Sequence, residues 1–423
     1  MPKEKLITVI DIGSTKVATI IASLADDRVS VIGVSTVPST GIRKGVVVDI
    51  DSAVDAISQS LEKSQRMSGF PISSAFVTVN GSHIESINSH GVVAVSHQDA
   101  EISQEDIKRV TEAAQAVSMP SSREIIHVIP RDFIVDGQDG VHDPMGMSGV
   151  RLEVETNLIH GSTTALKNLT KCVSQVGITV EDFVYSALAS SYSALTDTEK
   201  ELGTVLLDIG GGTTSLIIFS EGSPVYSSVL PVGGQNITND LAIGLRASLD
   251  IAERIKLKLG KEDDLLRRTV FPTQEEEIRE VNKIELDVAE FNLDVSTISR
   301  KLLYDIMKER MRELFTLVSI EIKKANFTGK LPAGAVLCGG GALTYNVTSI
   351  AKEVLKMPVR IAKPKGVTGL IDEIDGPAYS APIGALVFGS KQYKNLDRPR
   401  FSNQKQIGGV VKGAIGWLKS FLP

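Results

Sequence analysis

Two short segments of this chain carry the residue types that hold a phosphate chain. The first is Asp11-Ile-Gly13-Ser14-Thr15-Lys16, and the second is Asp208-Ile-Gly210-Gly211-Gly212-Thr213-Thr214. Glycines let backbone N–H groups approach phosphate oxygens closely and permit the turns that aim them. The hydroxyls of Ser14, Thr15, Thr213 and Thr214 add donors, and Lys16 adds a positive charge for a β- or γ-phosphate. Asp11 and Asp208 close the preceding apolar runs, a position from which a carboxylate can hold the water shell of Mg²⁺. Neither segment is a Walker A loop, because GxxxxGK[ST] is absent. A single Asp-x-Gly could equally be a plain hairpin turn. Two of them with the same polarity, each between apolar runs, argue for paired halves facing one nucleotide.

Two further groups extend this set. A short apolar run, 336–338, leads into Gly339-Gly340-Gly341, and a helical pattern follows. That arrangement would bring N–H groups and a helix dipole to an α-phosphate or a ribose. On the helical stretch 248–259, Glu253 and Lys256 share a face at i, i+3. They could hold a ribose and flank a purine, or form an ordinary surface ion pair.

The elements that must position these residues are legible from period and punctuation. Residues 6–10 and 17–23 read as strands around the first turn, and 29–37 continues the sheet. Asp49 or Asp51 can cap a helix to Ser68 that Gly69 stops. Residues 76–79 alternate as a strand. From 84 to 160 the pattern changes to a separate α/β module, with a capping box from Ser103 to Asp106 opening a helix to Val117. In this module 124–135 and 150–159 read as strands, and 137–149 as an exposed loop. A helix runs from 162 to 176. The second half has its strand pair at 202–219, helices at 236–246 and 248–259, strand-like stretches near 278–288, and a long helix at 299–325. Helices at 346–355 and from Ala381 close the fold.

Composition narrows the class. A chain of 423 residues with 42% hydrophobic side chains can build two domains with separate cores. A net charge of −6 and 5% aromatic residues, with no aromatic-plus-basic surface, argue against nucleic acid as a partner. Cys172 and Cys338 sit in a helical pattern and at a strand end, which reads as two buried free thiols and a reducing cytosol. No signal-peptide pattern is evident near Met1, and no run of 18 apolar residues could cross a membrane as a helix. The six histidines all fall between His83 and His160 (the others are His90, His97, His127 and His142). Their spacing matches no zinc pattern, so surface and turn positions are expected.

The C-terminal stretch 405–423 is the second strong signal. At about 100° per residue, Val410, Val411, Ile415, Trp417, Leu418, Phe421 and Leu422 fall on one side of a helix, within an arc of about 160°. Lys405, Lys412 and Lys419 gather on one flank. This is the layout of a helix lying in a membrane interface, lysines near anionic lipids. Glycines at 408, 409, 413 and 416 each cost about 1 kcal/mol of helix stability in water, so the helix should form on a surface. The polar stretch 392–404 reads as its tether. Burying seven large apolar side chains yields about 10–20 kcal/mol gross. Partial insertion and chain ordering at about 1–2 kcal/mol per residue remove most of it. One tail therefore binds weakly, and several tails on one assembly bind far more strongly.

In this order the parts resemble the actin, Hsp70 and sugar-kinase fold: 11–16 and 208–214 its phosphate loops, 339–341 its adenosine loop, 185–195 and 381–385 its connecting helices. Within that superfamily the chain is similar to the bacterial FtsA cell-division family. The marks are DIGSTK at 11–16, LASSYSAL at 188–195, LDIGGGTT at 207–214, and a GGxNxTxDxA-like run at 233–242 that adds Gly234 and Asn236 to the nucleotide set. The resemblance implies an α/β, actin-like two-lobed fold of duplicated ribonuclease-H-like domains, with an inserted small subdomain and a C-terminal amphipathic helix. The layout it implies is as follows. Residues 1–83 and 161–201, closed by helix 378–391, form the first lobe, and 84–160 form the insert. Residues 202–234 and 306–377 form the second lobe's core, with 235–305 as its outer part.

It implies as well a protein that binds ATP and Mg²⁺, self-associates into filaments, and tethers the FtsZ ring to the cytoplasmic face of the membrane at the septum. Other division proteins would meet residues 84–160. The acidic C-terminal peptide of FtsZ would meet the second lobe near Arg300 and Lys301. One departure stands out. Many ATPases of this fold carry a Glu or Gln in the first connecting segment to orient the attacking water, and Tyr185-Ser186-Ala187-Leu188-Ala189 has neither. Firm ATP binding with slow or absent turnover is expected. The alternatives are a sugar or acyl kinase of the same superfamily, which would need a catalytic Asp and has no use for such a tail, and a pilus-assembly or Hsp70-like ATPase.

Overall fold

A computed structural model describes residues 5–25, 28–96, 101–269, 285–291 and 295–397. The first lobe opens with β1 (Lys5–Ile12), β2 (Lys16–Ala25) and β3 (Arg28–Pro38), then a two-stranded ribbon, β4 (Ile42–Arg43) and β5 (Val46–Val47). Helix α1 (Ile50–Ser68) starts where Asp49 Oδ1 accepts the Ser52 N–H at 2.8 Å, and it stops at Gly69 in the left-handed region, φ 76°. Strand β6 (Ser74–Val79) then enters the sheet.

The inserted module is β7 (Glu85–Ala94), α2 (Gln104–Gln115), β8 (Arg123–Val135), β9 (Gln138–Val141) and β10 (Arg151–Ser162). The Ser103–Asp106 capping box forms as its spacing predicts. Two differences mark the sequence reading here. Strand β7 has little alternation because most of its residues are exposed and only Gly91 is buried, and the expected loop at 137–149 contains β9, paired to β8. The chain returns through α3 (Thr163–Gln175), β11 (Thr179–Tyr185), α4 (Ser186–Ala194) and α5 (Asp197–Leu202).

The second lobe contains β12 (Thr204–Ile209), β13 (Thr214–Ser220), β14 (Ser223–Leu230), α6 (Gly234–Leu245) and α7 (Leu249–Thr269). Next come the short hairpin β15 (Glu285–Asp287) and β16 (Thr297–Ser299), α8 (Arg300–Lys324), β17 (Ala335–Cys338), α9 (Val347–Leu355) and β18 (Val359–Ile361). The last elements, β19 (Thr368–Gly369) and α10 (Ser380–Asp397), rejoin the first lobe.

Sheet order shows the duplication. The first sheet runs β11-β6-β1-β2-β3-β19, and the second begins β18-β17-β12-β13-β14. In both, a parallel neighbour flanks the opening strand on one side and two antiparallel strands follow on the other. The second sheet then continues through β7, β10, β8 and β9, so the insert pairs with the second lobe although it interrupts the first. One residue pair, Ser228 with Glu85, makes that seam, reinforced by the Ser227 N–H donating to Ser86 Oγ at 2.7 Å. The insert keeps its own core around Val110, Phe133, Leu152 and Val154. Gly91 is required there, because a Cβ would overlap the Val110 carbonyl and lift α2 off β7.

Three sequence expectations need correction. His127 and His160 are buried, against the surface positions expected, and the His127 Nε2 accepts the Tyr185 N–H at 3.0 Å. Burial alone depresses the His127 pKa to about 4, so this imidazole is a neutral core acceptor. Helix α7 runs past Leu259 to Thr269, and α10 continues to Asp397, into the stretch read as a tether. Of the strand-like region near 278–288, the described part is β15, and residues 270–284 lie outside the described residues. The amphipathic tail 405–423, including Val410, Val411, Ile415, Trp417, Leu418, Phe421 and Leu422, also lies outside them. Among the described residues no helix is long and apolar enough to cross a membrane.

Candidate nucleotide cleft

The two glycine hairpins have the same backbone. Asp11 pairs with Ala18 and Asp208 with Ser215, and each loop is closed by one hydrogen bond. In the first, Gly13 N–H donates to the Lys16 carbonyl at 3.0 Å; in the second, Gly210 N–H donates to the Thr213 carbonyl at 2.8 Å. The two tips meet. A Cβ on Gly211 would overlap the Thr15 side chain, and one on Gly212 would lie 2.8 Å from Ser14 Oγ. No side chain fits between them, which explains the glycines at 211 and 212.

Behind the tips is a cleft of about 310 Å³. Asp11, Gly13, Ser14, Thr15 and Lys16 line one side; Asp208, Gly210, Gly211 and Thr213 line the other. Gly234, Glu253, Lys256, Gly339, Gly340 and Gly341 complete it. Lys256 Nζ is held by Glu253 Oε2 at 2.6 Å, Thr238 Oγ1 at 2.9 Å and the Gly234 carbonyl at 3.3 Å. The Glu253–Lys256 pair is thus part of the wall, with Lys256 only 11% exposed.

Three residues of the expected set serve the scaffold instead. Asn236 Oδ1 accepts the Gly233 N–H at 3.0 Å, so it caps α6. Thr214 Oγ1 is spent on the Val232 carbonyl at 2.8 Å. Gly212 lies at the contact between the tips, outside the cleft lining. The glycines at 339–341 do not open a long helix. A single 3₁₀ turn, Gly340–Leu343, follows β17, and α9 starts only at Val347. Gly339 is nonetheless obligatory. Its φ is +78° and a Cβ would strike Asp208 Oδ1.

The sequence missed several lining residues: Asn80, Ser186, Gln235, Leu257, Leu343, Ala378 and Ala381. Asn80 lies just beyond β6, Ser186, Gln235 and Ala381 sit in the first turns of helices, Leu343 and Ala378 in 3₁₀ turns, and Leu257 on the face of α7 beside Lys256; none carries a residue type that a one-dimensional pattern would single out. Gln235 was hidden inside a motif read for its glycines. Its N–H donates to the Gly211 carbonyl at 2.8 Å and docks α6 on the hairpin. Arg300 and Lys301 stand in the first turn of α8, away from the cleft lining, with Lys301 exposed.

Electrostatics make the cleft short of positive charge. Asp11 is buried and Asp208 half-buried, Asp11 accepting from Thr78 Oγ1 at 2.5 Å and Asp208 from Ser190 Oγ at 3.2 Å. Burial, and then the charge of Asp11, raise the Asp208 pKa to about 7. Burial likewise raises Asp11. Burial lowers Lys16, against the pull of both carboxylates. Two repelling carboxylates and one ammonium at a desolvated site suit a hydrated divalent cation and the phosphates it would carry.

Residues 81–160 match the family described as "SHS2 domain inserted in FTSA", and residues 205–384 match "Cell division protein FtsA". The cell division protein FtsA of Bacillus subtilis is 40% identical over 92% of this chain and 84% of its own length. That of Pseudomonas aeruginosa is 39% identical over 91% and 89%, and that of Escherichia coli K12 is 31% identical over 98% of each. The chain belongs to the FtsA family. Its role as a cell-division protein follows from that membership. Solved structures place FtsA-family architecture among actin-like folds. A chain of the PilM–PilN type IV pilus biogenesis complex superposes with a TM-score of 0.63 at 15% identity, covering 92% of this chain and 98% of that one. MreB5 of Spiroplasma citri bound to ADP gives 0.55 at 16%, covering 94% and 100%.

Proposed function

We propose that this FtsA-family protein binds ATP with Mg²⁺ between its lobes, self-associates into filaments, and holds the FtsZ ring against the cytoplasmic membrane at the division septum. The observation that carries the reading is the meeting of both glycine hairpins over one cleft, into which the strand ends bring the Asp11 and Asp208 carboxylates beside the Lys16 ammonium. Backbone N–H groups of both turns and the Lys16 ammonium would bind the phosphates. Asp11 and Asp208 would hold the water shell of Mg²⁺, which screens phosphate charge when bound. Glu253 and Lys256 would hold the ribose and purine.

Turnover in this reading is slow or absent. The segment after β11 puts only Ser186 into the cleft, and its hydroxyl donates to the Val79 carbonyl at 3.2 Å. Tyr185 faces away, its hydroxyl donating to the Leu216 and Ser228 carbonyls at 3.0 and 2.9 Å. Neither can take a proton from water at neutral pH, and burial raises the Tyr185 pKa further. The amphipathic stretch 405–423 would bring the filament to anionic lipid, Arg300 and Lys301 would meet the acidic FtsZ peptide, and 84–160 would meet other division proteins.

Liposome flotation tests the membrane step. The full chain with ATP should float with anionic vesicles, and a chain ending at residue 404 should stay in the soluble fraction. Flotation of the shortened chain would remove the tail from the account.

A further inference from the structure

The lysine of the first hairpin does not stand alone in the cleft. Lys16 Nζ donates to the Ala378 carbonyl at 2.8 Å and lies 3.9 Å from the centroid of the Tyr379 ring. Both partners come from the far end of the chain, on the turn that leads into α10 (the 3₁₀ turn Pro377–Tyr379). That turn is itself fixed. Gly339 N–H donates to the Pro377 carbonyl at 2.8 Å, and the Tyr379 hydroxyl is 3.1 Å from Thr36 Oγ1 on β3. Ser193 Oγ donates to the Ser380 carbonyl at 2.7 Å.

The consequence is steric and electrostatic. A lysine side chain has four flexible bonds, and an unguided ammonium spends most of its time away from any one point. Here a ring face and a carbonyl hold Nζ in one place while leaving N–H capacity toward the cleft, where Lys16 is among the lining residues. An aromatic face attracts a cation without competing as a hydrogen-bond acceptor for all three protons. Holding the charge in place before the ligand arrives removes part of the ordering cost of binding.

We infer that Tyr379 is a positioning residue for the nucleotide site, its ring orienting the Lys16 ammonium toward the phosphates. This rests on the ATP-binding reading. It adds a residue that touches no phosphate and belongs to neither glycine hairpin.

The test is equilibrium binding of a fluorescent ATP analogue in Mg²⁺ to four proteins: wild type, Tyr379→Leu, Tyr379→Phe and Lys16→Ala, with the Lys16→Ala/Tyr379→Leu double variant completing a cycle. Tyr379→Leu should weaken binding about fivefold to tenfold, the scale of a desolvated cation–π contact. Tyr379→Phe keeps the ring and should recover most of that loss. In the Lys16→Ala background, Tyr379→Leu should change affinity by less than about twofold, because nothing is left to orient. A role in packing alone predicts the same loss with and without Lys16, and that result overturns the inference, as does undiminished binding by Tyr379→Leu. Thermal unfolding of each variant identifies any that fail to fold; the Phe variant and the cycle then carry the result. If wild type and Lys16→Ala bind equally, the nucleotide reading itself fails at Lys16. If Lys16→Ala loses binding and Tyr379→Leu does not, only the positioning role fails.

Discussion

The two hairpins share a backbone and differ in what they contribute. At the residue whose carbonyl closes the turn, the first has Lys16 and the second Thr213. The first tip carries side chains, Ser14 and Thr15; the second carries Gly211 and Gly212, against which those side chains pack. At the tips, the first hairpin thus supplies hydroxyls and a lysine, and the second supplies room. Two hairpins that both kept bulky tips could not close, and two that both kept glycine would meet the phosphates with no lysine in either turn. Specialisation of this kind is what a shared site between two copies of one unit requires.

Several substitutions break or sharpen that contrast. The largest effect is expected at the tip of the second hairpin. Gly211→Val puts three carbons where Thr15 lies and should lower ATP affinity about 100-fold or more, as measured by calorimetric titration. The equivalent-position pair comes next. Lys16→Ala should weaken ATP about 10- to 100-fold, the scale of a charge-assisted phosphate contact, while Thr213→Ala at the matching turn residue should cost about threefold. Equal losses would mean that the hairpins are not specialised.

The smallest effect separates the two carboxylates by pH. The folded Asp208 pKa is raised to about 7, above the unfolded value, so the unfolded chain gives up this proton first as pH rises. Stability from Asp208 is therefore full at low pH and falls as pH climbs through neutrality. Melting temperatures in Mg²⁺-free buffer should drop between about pH 4 and 7 in the wild type and level off above, and drop less in Asp208→Asn. Saturating Mg²⁺ with ATP should remove the drop, because a cation favours the ionised pair.

Much of this was legible in the sequence because the relevant signals are local. Asp-x-Gly turns, the Asp49 and Ser103 caps and the Gly69 stop are set by residues a few positions apart, and each formed where its spacing indicated. The cleft's charged and glycine residues were found the same way. What escaped were contacts fixed only by the third dimension. Asn80 and Ala378 carry no chemical pattern, and they line the cleft because β6 and the turn before α10 end there. Asn236 entered the nucleotide set through the GGxNxTxDxA-like run, yet its side chain caps α6, whose first N–H groups dock on the Gly210 and Gly211 carbonyls. The pairing of the insert with the second lobe is one ladder pair, Ser228 with Glu85, and side-chain bonds from Ser86 and Asn88, too small a signal for any sequence period to reveal.

The central claim is that both lobes grip one triphosphate, and a double-mutant cycle on the two aspartates tests it most directly. ATP affinity in Mg²⁺ should fall for Asp11→Ala and for Asp208→Ala, and the double variant should lose much less than the combined single losses, since both act through one bound cation. Strictly additive losses, or full affinity in either single variant, would contradict a shared site.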